Sequence, residues 1–298
     1  MYLKSFAKVN LCLKVINKRR DGYHTLKTIF ERISLADKII LKPRKDSLIK
    51  ISSDNRDVPR DESNFCFKAA KLLRDKFRPL SGLDIKIIKR IPVAAGLGGG
   101  SSNAAAVLLG LNRLWGLKLS KVKLAKFAGK VGSDVAFFIY GLSFALGSGK
   151  GERIKPLNIL KKTKLWHILV VPKIHVSTPL IYKKYDHFSG LTHAPIGKKA
   201  MQKQLVRGLT KPPGNVKLIT SVKPYLLFNS LEQVTIRLYP EVRRIKDAFS
   251  QLGLDRVLMS GSGPAVFAIT SSFKNASRLA KILQKRERPW RVFVVKTV

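Results

Sequence analysis

Near its start the chain reads "YLKSFAKVNLCLKVI", where apolar and polar positions alternate and β-branched residues recur. A period of two puts successive side chains on opposite faces of a strand, so the segment predicts one or two strands. "RRDGYHTL" interrupts it with the turn dipeptide Asp21-Gly22, and "TIFERISL" and "DKIILKP" read as further strands. Beyond the polar stretch "SSDNRDVPRDESN", the segment "FCFKAAKLLRDKF" spaces its apolar positions three and four apart, which predicts a helix. "DIKIIKRIPV" is a strand that feeds a glycine-rich loop, and the loop opens a helix at about Ser101. "SKVKLAKFAGKVG" predicts another helix.

The pattern changes near residues 150 to 165, where "GSGKGERIKPLNILKKTK" is polar and rich in glycine and lysine. A second half of strands and helices follows: "LWHILVVPKI", "LEQVTIRLY", "PEVRRIKDAFSQLG", "RVLMSGSGPAVFAI", "ASRLAKILQKR" and "WRVFVVKTV". This organisation predicts an α+β protein of two domains, residues 1–155 and 156–298, with its active site in the cleft between them.

Composition narrows the class. Of 298 residues, 45% are hydrophobic and 8% aromatic, as in a folded protein with a sizeable core. No run reaches the roughly 18 apolar residues that span a bilayer, and "MYLKSFAKVN" is not a targeting leader, so a cytoplasmic location is expected. Cys12 and Cys66 lack metal-ligand spacing and read as buried thiols of a reducing compartment. His167, His175, His187 and His193 show no metal spacing either. With 58 Lys and Arg against 18 Asp and Glu, the net charge of +40 predicts attraction to polyanions. The basic residues are dispersed, however, and no ribonucleoprotein, GXXG or paired-cysteine motif accompanies them, so nucleic acid is not a required partner.

The chemistry concentrates in "IPVAAGLGGGSSNAAAVLLGLN", residues 91–112. A strand, a glycine-rich turn and a helix start together make an anion site, because first-turn amides lack partners and the helix dipole favours negative charge. Glycine lets phosphate oxygens approach the backbone, and Ser101 and Ser102 add hydroxyls. The segment is not a P-loop, and "GSGKGE" at 147–152 has Gly151 where Ser or Thr is needed. Nor does "GLGGGSS" fit GxGxxG.

"PVAAGLGGGSSNAA" resembles the ATP-binding signature of the GHMP small-molecule kinases. "AKVNLCLKV", "DGYHTLKTIF", "ESNFCFKAAKLL", "GSDVAFFIYG", "STPLIY" and "MSGSGPAVFA" follow in family order, so the resemblance covers nearly the whole chain. "DGYH" is similar to the branch that phosphorylates the 2-hydroxyl of a diphosphocytidyl methylerythritol substrate. The resemblance implies an N-terminal domain like that of ribosomal protein S5, a ferredoxin-like C-terminal domain, ATP as phosphoryl donor and Mg²⁺ as the neutralising ion.

By the same resemblance, Asp134 is the general base and Lys8 its partner. Pro92, Val93, Ala94, Ala95, Gly96, Leu97, Gly98, Gly99, Gly100, Ser101 and Ser102 wrap the ATP phosphates, with Ser101 or Ser102 as contacts of the metal. Asn64 and Lys89 match positions near the adenine. Tyr23 supplies an aromatic face to the cytosine, His24 bonds its edge, and Tyr182 lies on the opposite side. Asn10 contacts substrate, and Gly261, Ser262 and Gly263 form a second glycine turn beside the first. Two positions depart from the family pattern: Phe6 and Ala136 stand where proline is usual. The sequence leaves open another GHMP kinase, of homoserine or mevalonate type, and a nucleic-acid-binding protein exploiting its charge. The segment 186–216 reads as exposed.

Overall fold

The computed structural model describes residues 1–79, 81–189, 227–286 and 289–298. His193 and the basic stretch "GKKAMQKQLVRGLTKPP" lie outside the described residues, as does the segment 186–216 beyond residue 189. The first alternating segment forms β1 (Tyr2–Lys18). The next two predicted strands are one, β2 (His24–Arg44), because β1 pairs along its whole length in an antiparallel ladder. Their register shifts between Phe6↔Ala36 and Ala7↔Ile33, a bulge that absorbs the break in the sequence pattern without ending the strand.

Around this ribbon the described residues build a seven-stranded sheet. Beyond β2 lie β4 (Gly82–Ile88), antiparallel to its C-terminal half, and β3 (Ile49–Ser53), parallel to β4. β5 (Phe144–Gly149) pairs with the N-terminal half of β2 and with β6 (Arg153–Pro156). β8 (Phe228–Asn229) runs parallel to β1 at Cys12 and Leu13. One face is covered by α1 (Phe65–Phe77), α2 (Gly99–Leu114), α3 (Lys121–Val131) and α4 (Val135–Tyr140). Ala104, Ala105 and Ala106 let α2 sit close within that core.

The second sheet is antiparallel, ordered β11 (Arg291–Lys296), β7 (Trp166–Val171), β10 (Val266–Thr270), β9 (Val257–Met259). The helices are α5 (Thr178–Ser189), α6 (Glu232–Leu238), α7 (Pro240–Gln251) and α8 (Phe273–Arg286). With α8 between β10 and β11, the strand order is that of a ferredoxin-like unit. Both faces of β7 are buried, which explains the unbroken apolar run "ILVV". Ile168 and Val170 pack under the helices, whereas Leu169 and Val171 pack with Ala7, Val9 and Ile33 of the large sheet. That shared core joins the two sheets.

Candidate active site

The glycine loop is rooted in a buried carboxylate. Asp37 Oδ1 accepts from the backbone N–H groups of Arg90 (2.7 Å) and Ile91 (2.8 Å), and Oδ2 accepts from Lys89 Nζ (2.6 Å) and Asn103 Nδ2 (2.9 Å). Asn103 also donates to Ser5 Oγ, which donates to Ser102 Oγ at 2.7 Å. The end of β4 and the first turn of α2 are thus tied to β1 and β2. A buried carboxylate with four donors is fully compensated. Burial pushes the Lys89 ammonium below its ordinary value, against the opposing charge and hydrogen bond of Asp37.

Two glycines of the loop are demanded by the protein itself. Gly96 has φ +73°, and a Cβ there would lie 2.1 Å from the Ser260 carbonyl oxygen. Ser260 Oγ in turn donates to the Gly96 carbonyl at 3.0 Å and accepts from the Asn10 N–H at 3.3 Å. Gly98 has φ +67° and caps α2 with no side-chain hydrogen bond, so no side chain occupies the first-turn amides. Gly100 differs: a Cβ there meets only Phe65, at an ordinary 3.6 Å. Gly99 is also tight, since a Cβ there would lie 3.0 Å from Lys89 Nζ, so the spare room in the loop is at Gly100, in the first turn of α2.

Lys8, on β1, reaches under this loop. Its Nζ donates to Asn10 Oδ1 (2.6 Å) and the Gly96 carbonyl (3.0 Å) and lies 3.4 Å from Asp134 Oδ2. The lysine side chain is 4% exposed and the aspartate 30%, so the cation is internal and the carboxylate faces outward. Asn10 is fixed by donating to Thr28 Oγ1, which donates to the Cys12 carbonyl. Asp134 precedes α4 but makes no capping bond to it, which leaves its carboxylate free of a structural cap role. Gly151, in the turn between β5 and β6, brings its backbone close: a Cβ there would be 3.6 Å from Asp134 Oδ1.

A second group gathers at the β1–β2 turn. The ring of Tyr182, on α5, stacks on His24 with centroids 4.9 Å apart, and His24 Nε2 meets Asp186 Oδ1. Burial pushes the Tyr182 phenol up, and the nearby negative charge of Asp134 adds to the shift. Tyr23 is exposed, with Lys150 Nζ 4.4 Å from its ring centroid.

The remaining predicted residues divide. Gly261, Ser262 and Gly263 do lie against the first loop: a Cβ on Gly261 would be 3.2 Å from the Gly96 carbonyl oxygen. Ser262 Oγ is engaged with Thr178 Oγ1 at 2.7 Å. Asn64 caps α1, its Oδ1 accepting from Cys66 N and its Nδ2 donating to the Pro59 carbonyl. Arg56, Val58, Pro59 and Arg60 line an open hollow of about 520 Å³. Ser102 is buried, whereas Ser101 is partly exposed. Of the two departures, Phe6 sits at the β-bulge with Arg32 5.4 Å from its ring centroid, and Ala136 is buried within α4. Sequence reasoning missed Asp37 and Asp186, which carry no local signal, and Ser260, whose motif "MSGSGPAVFA" points only to its glycine turn. Lys150 stands in the turn "GSGKGE", which fails the P-loop pattern and so gives it no signal.

Comparison with known proteins identifies the family. The models for "GHMP kinases N terminal domain" and "GHMP kinases C terminal" match residues 64–142 and 217–288. A 4-diphosphocytidyl-2-C-methyl-D-erythritol kinase of Geobacillus sp. (strain WCH70) is 44% identical over 95% of this chain and 91% of its own. That of Bacillus subtilis (strain 168) is 41% identical over 93% and 90%. A crystal structure of 4-(cytidine 5'-diphospho)-2C-methyl-D-erythritol kinase superposes with a TM-score of 0.74 at 34% identity, covering 99% of both chains. A homoserine kinase from Cytophaga hutchinsonii, at 21% identity and a TM-score of 0.70, shares the fold. The chain belongs to the GHMP kinases, in the group of the 4-diphosphocytidyl-2-C-methyl-D-erythritol kinases.

Proposed function

We propose that this kinase transfers the γ-phosphoryl group of ATP to the 2-hydroxyl of 4-diphosphocytidyl-2-C-methyl-D-erythritol, a step of isoprenoid precursor synthesis. The observation that carries the reading is the buried Lys8 ammonium, held between the Gly96 carbonyl and the outward-facing carboxylate of Asp134. An alcohol is a poor nucleophile until its proton is accepted during attack. Asp134 accepts that proton, the substrate oxygen bonds to the γ-phosphorus, and the bond from phosphorus to the β–γ bridging oxygen breaks to release ADP. Lys8 orients the carboxylate and stabilises negative charge developing on the attacking oxygen.

The phosphates lie at the start of α2, on the amides that Gly98 leaves uncapped. We place the adenine over the hollow beside the Asn64 cap, where Arg56 and Arg60 offer planar faces. Lys89 acts on the nucleotide from beneath the loop, through its charge and its hold on Asp37. Cytosine binds at Tyr23, His24 and Tyr182, and Asn10 acts by holding Lys8.

For Mg²⁺ the donor set is sparse: no group of three or more metal-ligating side chains occurs among the described residues. That fits an ion carried largely by phosphate and water, with one or two protein oxygens. Asp134 and Ser101 would hold it, since the Ser102 hydroxyl is engaged by Ser5. When bound, the ion neutralises charge on the transferring phosphoryl group.

We also divide the chain near residue 155, where β6 ends, and place the enzyme in the cytoplasm, as suits its free, buried cysteines. No described helix is long and apolar enough to cross a membrane. The test is phosphoryl transfer to the diphosphocytidyl substrate by wild type beside Asp134→Asn. Transfer that Asp134→Asn lowers by at least about 10²-fold supports both reaction and base. No transfer by the wild type overturns the reading in favour of another alcohol.

A further inference from the structure

Helix α5 grips the His24 imidazole by its face and by one edge. Tyr182 stacks on the ring with planes 27° apart, and Asp186, four residues on and so on the same helix face, meets Nε2 at 2.5 Å. The other Asp186 oxygen is 2.8 Å from Lys18 Nζ, and Lys18 is the register partner of His24 at the end of the β1–β2 ladder. Burial works to raise the Asp186 carboxyl, but the bonds from Lys18 and His24 overcome it and hold the group below its ordinary range. The carboxylate is therefore an acceptor fixed on two sides.

An ionised carboxylate only accepts, so the hydrogen of this bond belongs to Nε2. In a neutral ring the lone pair then sits on Nδ1. His24 is 7% exposed, yet its Nδ1 makes no hydrogen bond among the described residues and is not sealed from solvent. A buried ring with one nitrogen fixed and the other without a hydrogen-bond partner among the described residues presents a single acceptor of defined direction.

Resting on the cytidine-bearing substrate argued above, we propose that Asp186 is a positioning residue that holds His24 as the Nε2–H tautomer. This dedicates Nδ1 to accepting a hydrogen bond from the exocyclic amine of cytosine. Uracil carries a carbonyl at that position, which would bring lone pair against lone pair. A site built for a donor rejects the analogue that lacks it, because its own buried polar atom is left unpaired. The base preference then depends on a residue that does not touch the base.

The test compares wild type, Asp186→Ala and Asp186→Glu on the diphosphocytidyl substrate and its diphosphouridyl analogue, with nitrogen NMR of histidine-labelled protein to read the His24 tautomer. For Asp186→Ala we expect KM for the cytidyl substrate to rise about tenfold, and the preference over uridyl to fall as far, with kcat and KM for ATP within about twofold. Asp186→Glu restores most of the preference, and the wild-type spectrum shows hydrogen on Nε2 alone. A base preference unchanged in Asp186→Ala, or hydrogen on Nδ1 in the neutral wild-type ring, overturns the proposal while leaving the kinase reading intact. A wild type inactive on the cytidyl substrate overturns that reading and this one with it.

Discussion

Lys8 Nζ lies 3.4 Å from Asp134 Oδ2 while donating to the Gly96 carbonyl at 3.0 Å, so one buried ammonium braces both the carboxylate and the glycine loop. The proposed catalytic pair and the glycine loop are mechanically one unit. Disturbing either element disturbs the other.

Lys8→Met tests that coupling. With the charge beside the reacting oxygen removed, kcat should fall by about 10²–10³-fold. KM for ATP should also rise, because the Gly96 carbonyl loses its donor and the loop its brace. Steady-state kinetics varying each substrate separates the two effects; a fall in kcat with no change in KM for ATP would show that the loop does not depend on Lys8.

The glycine loop should respond unevenly to alanine. Gly96→Ala forces a methyl into the Ser260 carbonyl at a positive φ, so it should destabilise the protein by about 2–4 kcal/mol, read from urea unfolding. Gly100→Ala meets no backbone, so its unfolding midpoint should match wild type while KM for ATP rises several-fold. Equal stability losses would mean that the room at Gly100 is not real.

Stability should also depend on a fully buried pair between the sheets. His167 Nε2 is 2.9 Å from Glu31 Oε1, which also accepts from Thr297 Oγ1 at 2.6 Å. His167→Leu leaves Glu31 without its imidazole partner and should cost about 3–5 kcal/mol, measured by chemical denaturation. The double change Glu31→Leu with His167→Leu should recover part of that loss, since two apolar groups need no compensation. A double variant less stable than His167→Leu would show that the carboxylate is adequately held by Thr297 alone.

Much of the fold was legible along the chain, and the reasons are local. "FCFKAAKLLRDKF" carries the helical spacing and became α1, and the glycine turn before "SSNAAAVLLGL" did open a helix, two residues earlier than expected. "TIFERISL" and "DKIILKP" read as two strands because their alternation breaks between them; β1 pairs across the break, so they are one. The candidate site was legible through resemblance, which named Lys8 and Asp134 and not what holds them. Asp37 and Asp186 have no neighbours in sequence to announce them, and Ser260 stands in a motif that announces only its glycines.

By itself, then, the sequence determined the types of the long elements β1, β2, α1, α2 and α3, the glycine-rich entry to α2 and the kinase family, because periodicity and short motifs are properties of adjacent residues. Only the tertiary structure decided that Gly96 is glycine for the sake of Ser260, that Glu31 finds His167, and that Tyr182 and Asp186 share one imidazole. Those relationships join residues more than 130 positions apart. Such residues meet only because burying the shared apolar core brings the two sheets together, and that burial is a property of the whole chain rather than of any stretch of it.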